Sequence, residues 1–305
     1  MSRLVAATDA QRRGRDALTW PEWGQALSQE QWLAREIALR DHPWSRAAME
    51  SWLWQGDAGQ TLASCETFRT AARHGSEAGE VYAVASVFTE PSLRGKGHAT
   101  AMIDALNLEL AKRPRALGSV LFSDVGARIY QRSGYHPFSA REVVLLPEPG
   151  VATEGVTALA APLADPPFPQ PREGELLLLP GATQLDWHLA REGFYAQALQ
   201  RPRAGFYGAQ AGGAWACWVA WHKEDALRVL WLQPGTEEET AAVLKSAQRV
   251  AAASGMKTVR LWEPHPGFGG LAGDRQQRDG ELPMARLYGG RHLGDWKHVH
   301  RAVWV

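Results

Sequence analysis

The stretch Val81–Ala111, VYAVASVFTEPSLRGKGHATAMIDALNLELA, constrains the fold more than any other part of the chain. From Val81 to Phe88 only Ser86 interrupts a run of apolar or small residues. Such a run belongs to a strand inside a sheet covered on both faces. Pro91 has no backbone N–H to offer a ladder, so it marks where pairing ends. Beyond it, Ala99, Met102, Ile103, Leu106 and Leu110 share one helical face, and Thr100, Asp104 and Asn107 the other. Pro114 is the latest point at which that helix can stop. The stretch therefore predicts a central strand, a hard turn and a helix.

The turn between them is Arg94-Gly95-Lys96-Gly97-His98-Ala99. The first amides of a helix have no intrahelical partner and sit at the positive end of its dipole. Gly95 and Gly97 carry no side chains, so a bulky anion can approach the backbone, and Arg94, Lys96 and His98 add positive charge. The pattern suits a pyrophosphate. A dinucleotide fold would want glycine where Thr100 stands and an acidic residue about 20 positions on, and Glu109 comes too early. A Walker loop would need Gly-Lys-Ser/Thr after four spacer residues, which is absent. A glycine turn with solvated charges is the remaining alternative, and the strand and helix on either side count against it.

The chain has 305 residues, enough for one large domain or two of ordinary size. Lysine plus arginine equals aspartate plus glutamate at 33 each, which argues against a nucleic-acid or membrane-surface binder. Cys65 and Cys217 are far apart and form no Cys-x-x-Cys, so no disulfide framework or thiolate metal site is expected. The opening MSRLVAATDAQRRGR has no apolar core of signal-peptide length, and no run approaches membrane-spanning length. A cytoplasmic location is expected. The 14 tryptophans are expected mostly in cores, with some lining a pocket.

In chain order, Leu4–Ala7 reads as a short strand. Ser28-Gln29-Glu30-Gln31 reads as a capping box opening a helix towards His42-Pro43, and Ser45–Trp54 as a second helical piece. Thr61–Arg69 and Ser119–Ser123 read as strands, with a hairpin-like loop at Gly75–Gly79. A short helix carries Ile129 and Tyr130, Gly134 closes it, and Tyr135–Leu146 returns as a further strand or two.

This order, with Arg94, Gly97 and Ala99 after the central strand and Tyr130-Gln131-Arg132-Ser133-Gly134-Tyr135 later, resembles the GCN5-related N-acetyltransferase (GNAT) superfamily. The resemblance covers roughly the first 146 residues. SCETFR at Ser64–Arg69, the run Val84–Thr100, FSDVG at Phe122–Gly126 and WHLAREGF at Trp187–Phe194 also resemble the fungal lysine N6-acetyltransferase-like proteins. Those carry a second acetyltransferase-like region. The resemblance implies an α/β fold with a mixed, mostly antiparallel sheet flanked by helices. It implies acetyl-coenzyme A as co-substrate, with its pyrophosphate on Gly95–Ala99 and Thr100, and its pantetheine arm along Val87, Phe88 and Thr89. It places Tyr130 as the acid that meets the leaving thiolate. A carboxylate must take the ammonium proton, and Glu66, Glu80, Glu90 and Asp124 border the expected cleft. Glu66, an acid between apolar neighbours in a strand, is the first candidate. Ser123 stands where many relatives have an asparagine that helps hold the cofactor.

Residues 147–171 contain seven prolines, from Pro147 to Pro171, and read as an extended linker. Leu176–Leu179, Ala214–Trp221, Ala226–Leu232 and Thr258–Trp262 read as strands, and Leu185–Leu199 as a helix. Thr236-Glu237-Glu238-Glu239 reads as a capping box for another. Strand, strand, helix and strand repeat the first half, but Leu232-Gln233-Pro234-Gly235-Thr236 replaces the cradle. The expected organisation is a catalytic domain over residues 1–147, a linker over 148–173 and a degenerate acetyltransferase-like domain over 174–305 that walls the amine pocket. The glycine-rich Gly267–Gly270 reads as a mobile loop. His292, His298 and His300 have no acidic or thiolate partners in sequence, and no metal is expected. The expected partner is a small amine such as lysine or another amino acid, with no nucleic acid and no membrane. The alternatives are a protein or peptide acetyltransferase and a non-catalytic acetyl-coenzyme A sensor.

Overall fold

Two mixed sheets, each built round one parallel pair of strands, carry the molecule. A computed structural model describes residues 2–151, 153–263, 273–296 and 298–305. The first half runs β1 (Arg3–Ala6), α1 (Asp9–Trp23), α2 (Gln29–Asp41), α3 (Pro43–Ala48), β2 (Met49–Gln55), β3 (Thr61–His74) and β4 (Glu77–Phe88). It continues with α4 (His98–Leu110), β5 (Ala116–Ser123), α5 (Arg128–Gln131), β6 (His136–Pro137) and β7 (Arg141–Leu145). Then come β8 (Thr157–Leu159), β9 (Leu176–Leu179), α6 (Ala182–Ala198), β10 (Gly208–Ala211), β11 (Ala214–Trp221) and β12 (Ala226–Gln233). The chain ends through α7 (Glu237–Ala253), β13 (Thr258–Trp262), β14 (Asp274–Gln277) and β15 (Leu282–Leu287).

The two sheets repeat one design. In the first, β3 pairs antiparallel with β4, and β4 runs parallel to β5 through the crossover helix α4. In the second, β11 pairs antiparallel with β12, and β12 runs parallel to β13 through α7. The halves then exchange strands. β7 leaves the first half to pair with β13, and β15 leaves the second half to pair with β5 over Leu282↔Ser123 to Leu287↔Gly118. β9 also crosses, pairing with β3 from Ala71↔Leu179 to His74↔Leu176. Each sheet therefore draws strands from both sides of the proline-rich segment. A strand's local pattern records which face is buried but not its partner, so the exchange is invisible in sequence.

Local physics explains most boundaries. α2 and α7 open on reciprocal capping boxes at Ser28/Gln31 and Thr236/Glu239. α1 opens on a third, Thr8/Gln11, and contains Pro21. The segment expected as helix over Ser45–Trp54 is helical only to Ala48. From Met49 it is β2, because Trp52, Leu53 and Trp54 pair with both β1 and β3. Asn107, expected on the solvated face of α4, is buried, because Ser119 Oγ (2.9 Å), Tyr135 Oη (3.1 Å) and Tyr288 Oη (2.9 Å) all donate to its Oδ1. That knot fastens α4 to β5 and to the turn behind Tyr130. One core lies between α4 and the first sheet around Met102, Ile103, Leu106 and Leu110. α6 bridges the sheets, placing Trp187 in the first half's core and Leu185 and Leu189 in the second's. The segment at His298–His300 forms no strand, and His300 stacks on Trp231 at 3.8 Å. The glycine-rich Gly267–Gly270 lies outside the described residues.

Candidate active site

A cavity of about 1470 Å³ is lined by residues of both halves. One end is the turn after β4. Gly95 and Gly97 have φ of 78° and 80°, a region that costs L-residues strain and glycine none. An added Cβ at either would meet nothing within 4 Å, so the glycines answer to backbone shape and to open space rather than to close packing. Gly97 caps α4 with no side-chain hydrogen bond, which leaves the first amides of the helix open. Arg94, Gly95, Gly97, His98, Ala99 and Thr100 line the cavity, while Lys96 is exposed and not among the lining residues. Arg94 is braced by Nε donating to the Thr89 carbonyl (3.0 Å) and by an ion pair with Glu22.

The middle of the cavity is the end of β4. Pairing with β5 stops at Val84↔Leu121, so the strands part beyond that point. On the other side, Ser64 pairs with Phe88 and Glu66 with Ala85, which leaves one extra residue on β4. Ser86 takes a φ of 52° within this bulge. Val87, Phe88 and Thr89 line the cavity here, and the buried Thr89 Oγ1 has no hydrogen-bond partner. Strand bulge and strand splay together expose backbone that an unbroken sheet would consume.

Tyr130 enters from α5. It is 8% exposed, its ring packs edge-on to Tyr135 at 6.2 Å, and it lines the same cavity. Burial, with Tyr135 next in effect, pushes its phenol above the ordinary tyrosine value, so the hydroxyl keeps its proton. Glu66 is 5% exposed and lines the cavity from β3. Its Oε1 accepts from Arg15 Nη1 (2.9 Å), and Arg15 also donates to Ser64 Oγ (3.0 Å) and the Ser86 carbonyl (2.8 Å). Of the other carboxylates considered, Asp124 lines the cavity and accepts from the Glu281 amide (2.9 Å). Glu80 pairs with Arg69 (3.0 Å) and, like Glu90, is not among the lining residues.

The far wall comes from the second half and was not foreseen in detail. Trp187, Arg191 and Tyr195 of α6 line it, with Trp221, Lys223 and Trp304. The signal was present: residues 187, 191 and 195 stand four apart, so an arginine sits between two aromatics on one helix face. Arg15 was missed because α1 itself was missed.

The second half has no open cradle. The turn before α7 is closed by the protein's own acid. Glu239 Oε2 accepts from the amides of Thr236 (2.9 Å) and Gly213 (3.3 Å). A carboxylate thus occupies the helix N-terminus that stays open before α4. Among the described residues no cluster of three or more His, Cys, Asp or Glu side chains is placed to hold a metal, and no helix is long and apolar enough to cross a membrane.

Comparison with known proteins agrees with this architecture. The family model described as the LYC1 GNAT-like C-terminal domain matches residues 151–305. A curated relative, the lysine acetyltransferase of Yarrowia lipolytica (strain CLIB 122 / E 150), is 22% identical over 311 residues, covering 79% of each chain. The probable N-acyltransferase of Enterococcus faecalis V583 superposes with a TM-score of 0.58 at 13% identity, covering 94% of this chain and 73% of that one. A GCN5-related N-acetyltransferase from Kribbella flavida gives 0.56 at 16% identity, covering 94% and 71%. At such identities the structural likeness speaks for the fold.

Proposed function

From a chain that belongs to the LYC1 GNAT-like family of N-acetyltransferases, we propose an enzyme that moves the acetyl group of acetyl-coenzyme A to a primary amine of a small molecule, lysine or another amino acid. The observation that carries this is the shared cavity, which joins an open helix N-terminus, a parted strand end and a protonated phenol. Acetyl-coenzyme A would supply an activated acyl carbon and a thiolate leaving group. The amides of Gly95 to Thr100 are disposed to hold its pyrophosphate, and Arg94 and His98 line the same end. Lys96 would add charge from outside. Val87, Phe88 and Thr89 border the path for the pantetheine arm, and the unsatisfied Thr89 hydroxyl is a free hydrogen-bonding group on it.

The remaining roles follow from chemistry. The amine must attack neutral, and Glu66 has an oxygen left over from its bond to Arg15 with which to take the ammonium proton, directly or through water. Negative charge develops on the carbonyl oxygen, and the backbone N–H groups at the β4 bulge near Val87 are disposed to stabilise it. Tyr130 then donates its proton to the departing sulfur. The second half contributes Trp187, Tyr195, Trp221 and Trp304 to the cavity wall, which favours a small acceptor over a folded protein. The capped turn before α7 supports a single active centre, with the second half shaping the acceptor site.

Thiol release from acetyl-coenzyme A across a panel of amines tests this, with wild type beside Tyr130→Phe and Glu66→Gln. The expected outcome is turnover with free amino acids, reduced about 10²- to 10⁴-fold in kcat by Tyr130→Phe. Tight coenzyme binding with no turnover on any amine would instead identify a sensor.

A further inference from the structure

Arg191 stands apart from the other cations around the cavity. It is 7% exposed, and its Nε is buried without a hydrogen-bond partner. Other buried arginines nearby hold a carboxylate: Arg15 holds Glu66, Arg35 holds Glu36 and Arg301 holds Glu281. Arg191 holds none among the described residues. Its guanidinium carbon lies over aromatic rings instead, 3.9 Å from the centre of Trp221, 5.2 Å from Trp304 and 5.5 Å from Tyr195. Other cations stand close. Lys223 Nζ is 5.4 Å from the same Tyr195 ring and donates to the Trp23 carbonyl (2.6 Å). Burial first, and then the charge of Arg35, push Arg191 down to about 9. Tyr195 answers the same field: burial raises it, yet the charges of Arg35, Arg191 and Lys223 leave it below the ordinary tyrosine value.

Buried charges in folded proteins are paired, because an isolated one is costly to desolvate. An arginine that lines a cavity, already stripped of water and without an ion pair to any described residue, is disposed to take its anion from a ligand. Close contact with the Trp221 ring at 3.9 Å restrains the guanidinium, so less freedom is lost when its fork of donors meets a ligand. A planar fork matches a carboxylate through two parallel hydrogen bonds. The coenzyme's pyrophosphate has its own place on the amides before α4. Building on the reading of this cavity as the seat of an amine acceptor, we infer that Arg191 binds a carboxylate of that acceptor and is the residue that selects for it. Aromatic rings around the fork exclude water and make the single ion pair decisive for selection. Arg191 thereby fixes the acceptor by one end and leaves its amine towards β4.

The test uses the full chain saturated with coenzyme A. Binding of L-lysine, L-ornithine and L-phenylalanine, each beside its carboxamide, is measured by calorimetry for wild type, Arg191→Gln and Arg191→Lys. Wild type should bind at least one acid tenfold or more tightly than its amide. Arg191→Gln should bind both members alike, and Arg191→Lys should retain part of the preference. In turnover, Arg191→Gln should raise KM for the acid with kcat little changed. The acid should also raise the Tm of wild type and not that of Arg191→Gln. Equal binding of acid and amide by wild type in every pair, or a preference fully retained in Arg191→Gln, overturns the inference. Carboxylate preference in binding without any acetylated product would sink the transferase reading and leave the Arg191 site standing. Acetylation of acid and amide with equal kcat/KM would do the reverse.

Discussion

Replacing Gly97 by alanine separates the two things this glycine does. Gly97 has a φ of 80°, where an L-residue pays a strain of about 1–2 kcal/mol. Nothing lies within 4 Å of the added Cβ, so that strain is the whole folded-state cost. It corresponds to a fall in Tm of about 2–4 °C. The methyl group would project beside the open amides of α4, where an anion has to approach. Losing one or two charge-assisted hydrogen bonds, at about 1.5–3 kcal/mol each, raises Kd for coenzyme A at least about tenfold. Gly59→Ala is the matched control. Its φ is 79° and its Cβ also meets nothing within 4 Å, but it lies in the turn between β2 and β3. Calorimetric titration with coenzyme A and thermal unfolding of both variants decide the matter. Both should lose similar stability, and Gly97→Ala alone should lose affinity. Equal affinities in the two variants would refute the assignment of the cradle.

Two further outcomes follow from the fold and from buried ionisable groups. Residues 1–147 expressed alone should fail to unfold cooperatively, since they lack β9 and the six-residue pairing of β15 with β5. A sharp thermal transition with coenzyme affinity like the full chain's would show the exchange to be dispensable. Burial raises the Cys65 thiol from 9 to about 12. The unfolded thiol ionises above its ordinary value while the folded one stays protonated. Stability is therefore full below pH 9 and falls between pH 9 and 12, by about 1.4 kcal/mol per pH unit for this one group. Cys65→Ala should flatten that slope in urea unfolding followed against pH, and an unchanged slope would contradict the assignment.

Features encoded within a few residues were legible in the chain. The glycine turn from Arg94 to Ala99, the amphipathic face of α4 and the capping boxes before α2 and α7 each depend on neighbours in sequence, and each is seen. The doubling of strand, helix and strand was legible for the same reason. What depended on distant partners was not. β7, β9 and β15 read as strands or went unread, and nothing local says that they cross between the sheets. α1 was hidden by Gly14 and by Pro21 inside it, although Thr8 and Gln11 form a capping box. With α1 went Arg15, so Glu66 was legible as an unusual strand acid and its ion pair was not. Asn107 looked solvated because helical spacing cannot register the three hydroxyls that meet it from β5, the Tyr135 turn and Tyr288.

The most direct measurement of the central account is mass analysis of the products formed from acetyl-coenzyme A with free lysine and, in parallel, with a lysine-containing peptide blocked at both ends. A single small-acceptor centre in the first half predicts acetylated free lysine or another free amino acid from a wider panel, little acetylated peptide, and loss of product in Tyr130→Phe. Efficient acetylation of the blocked peptide with free amino acids untouched would contradict it.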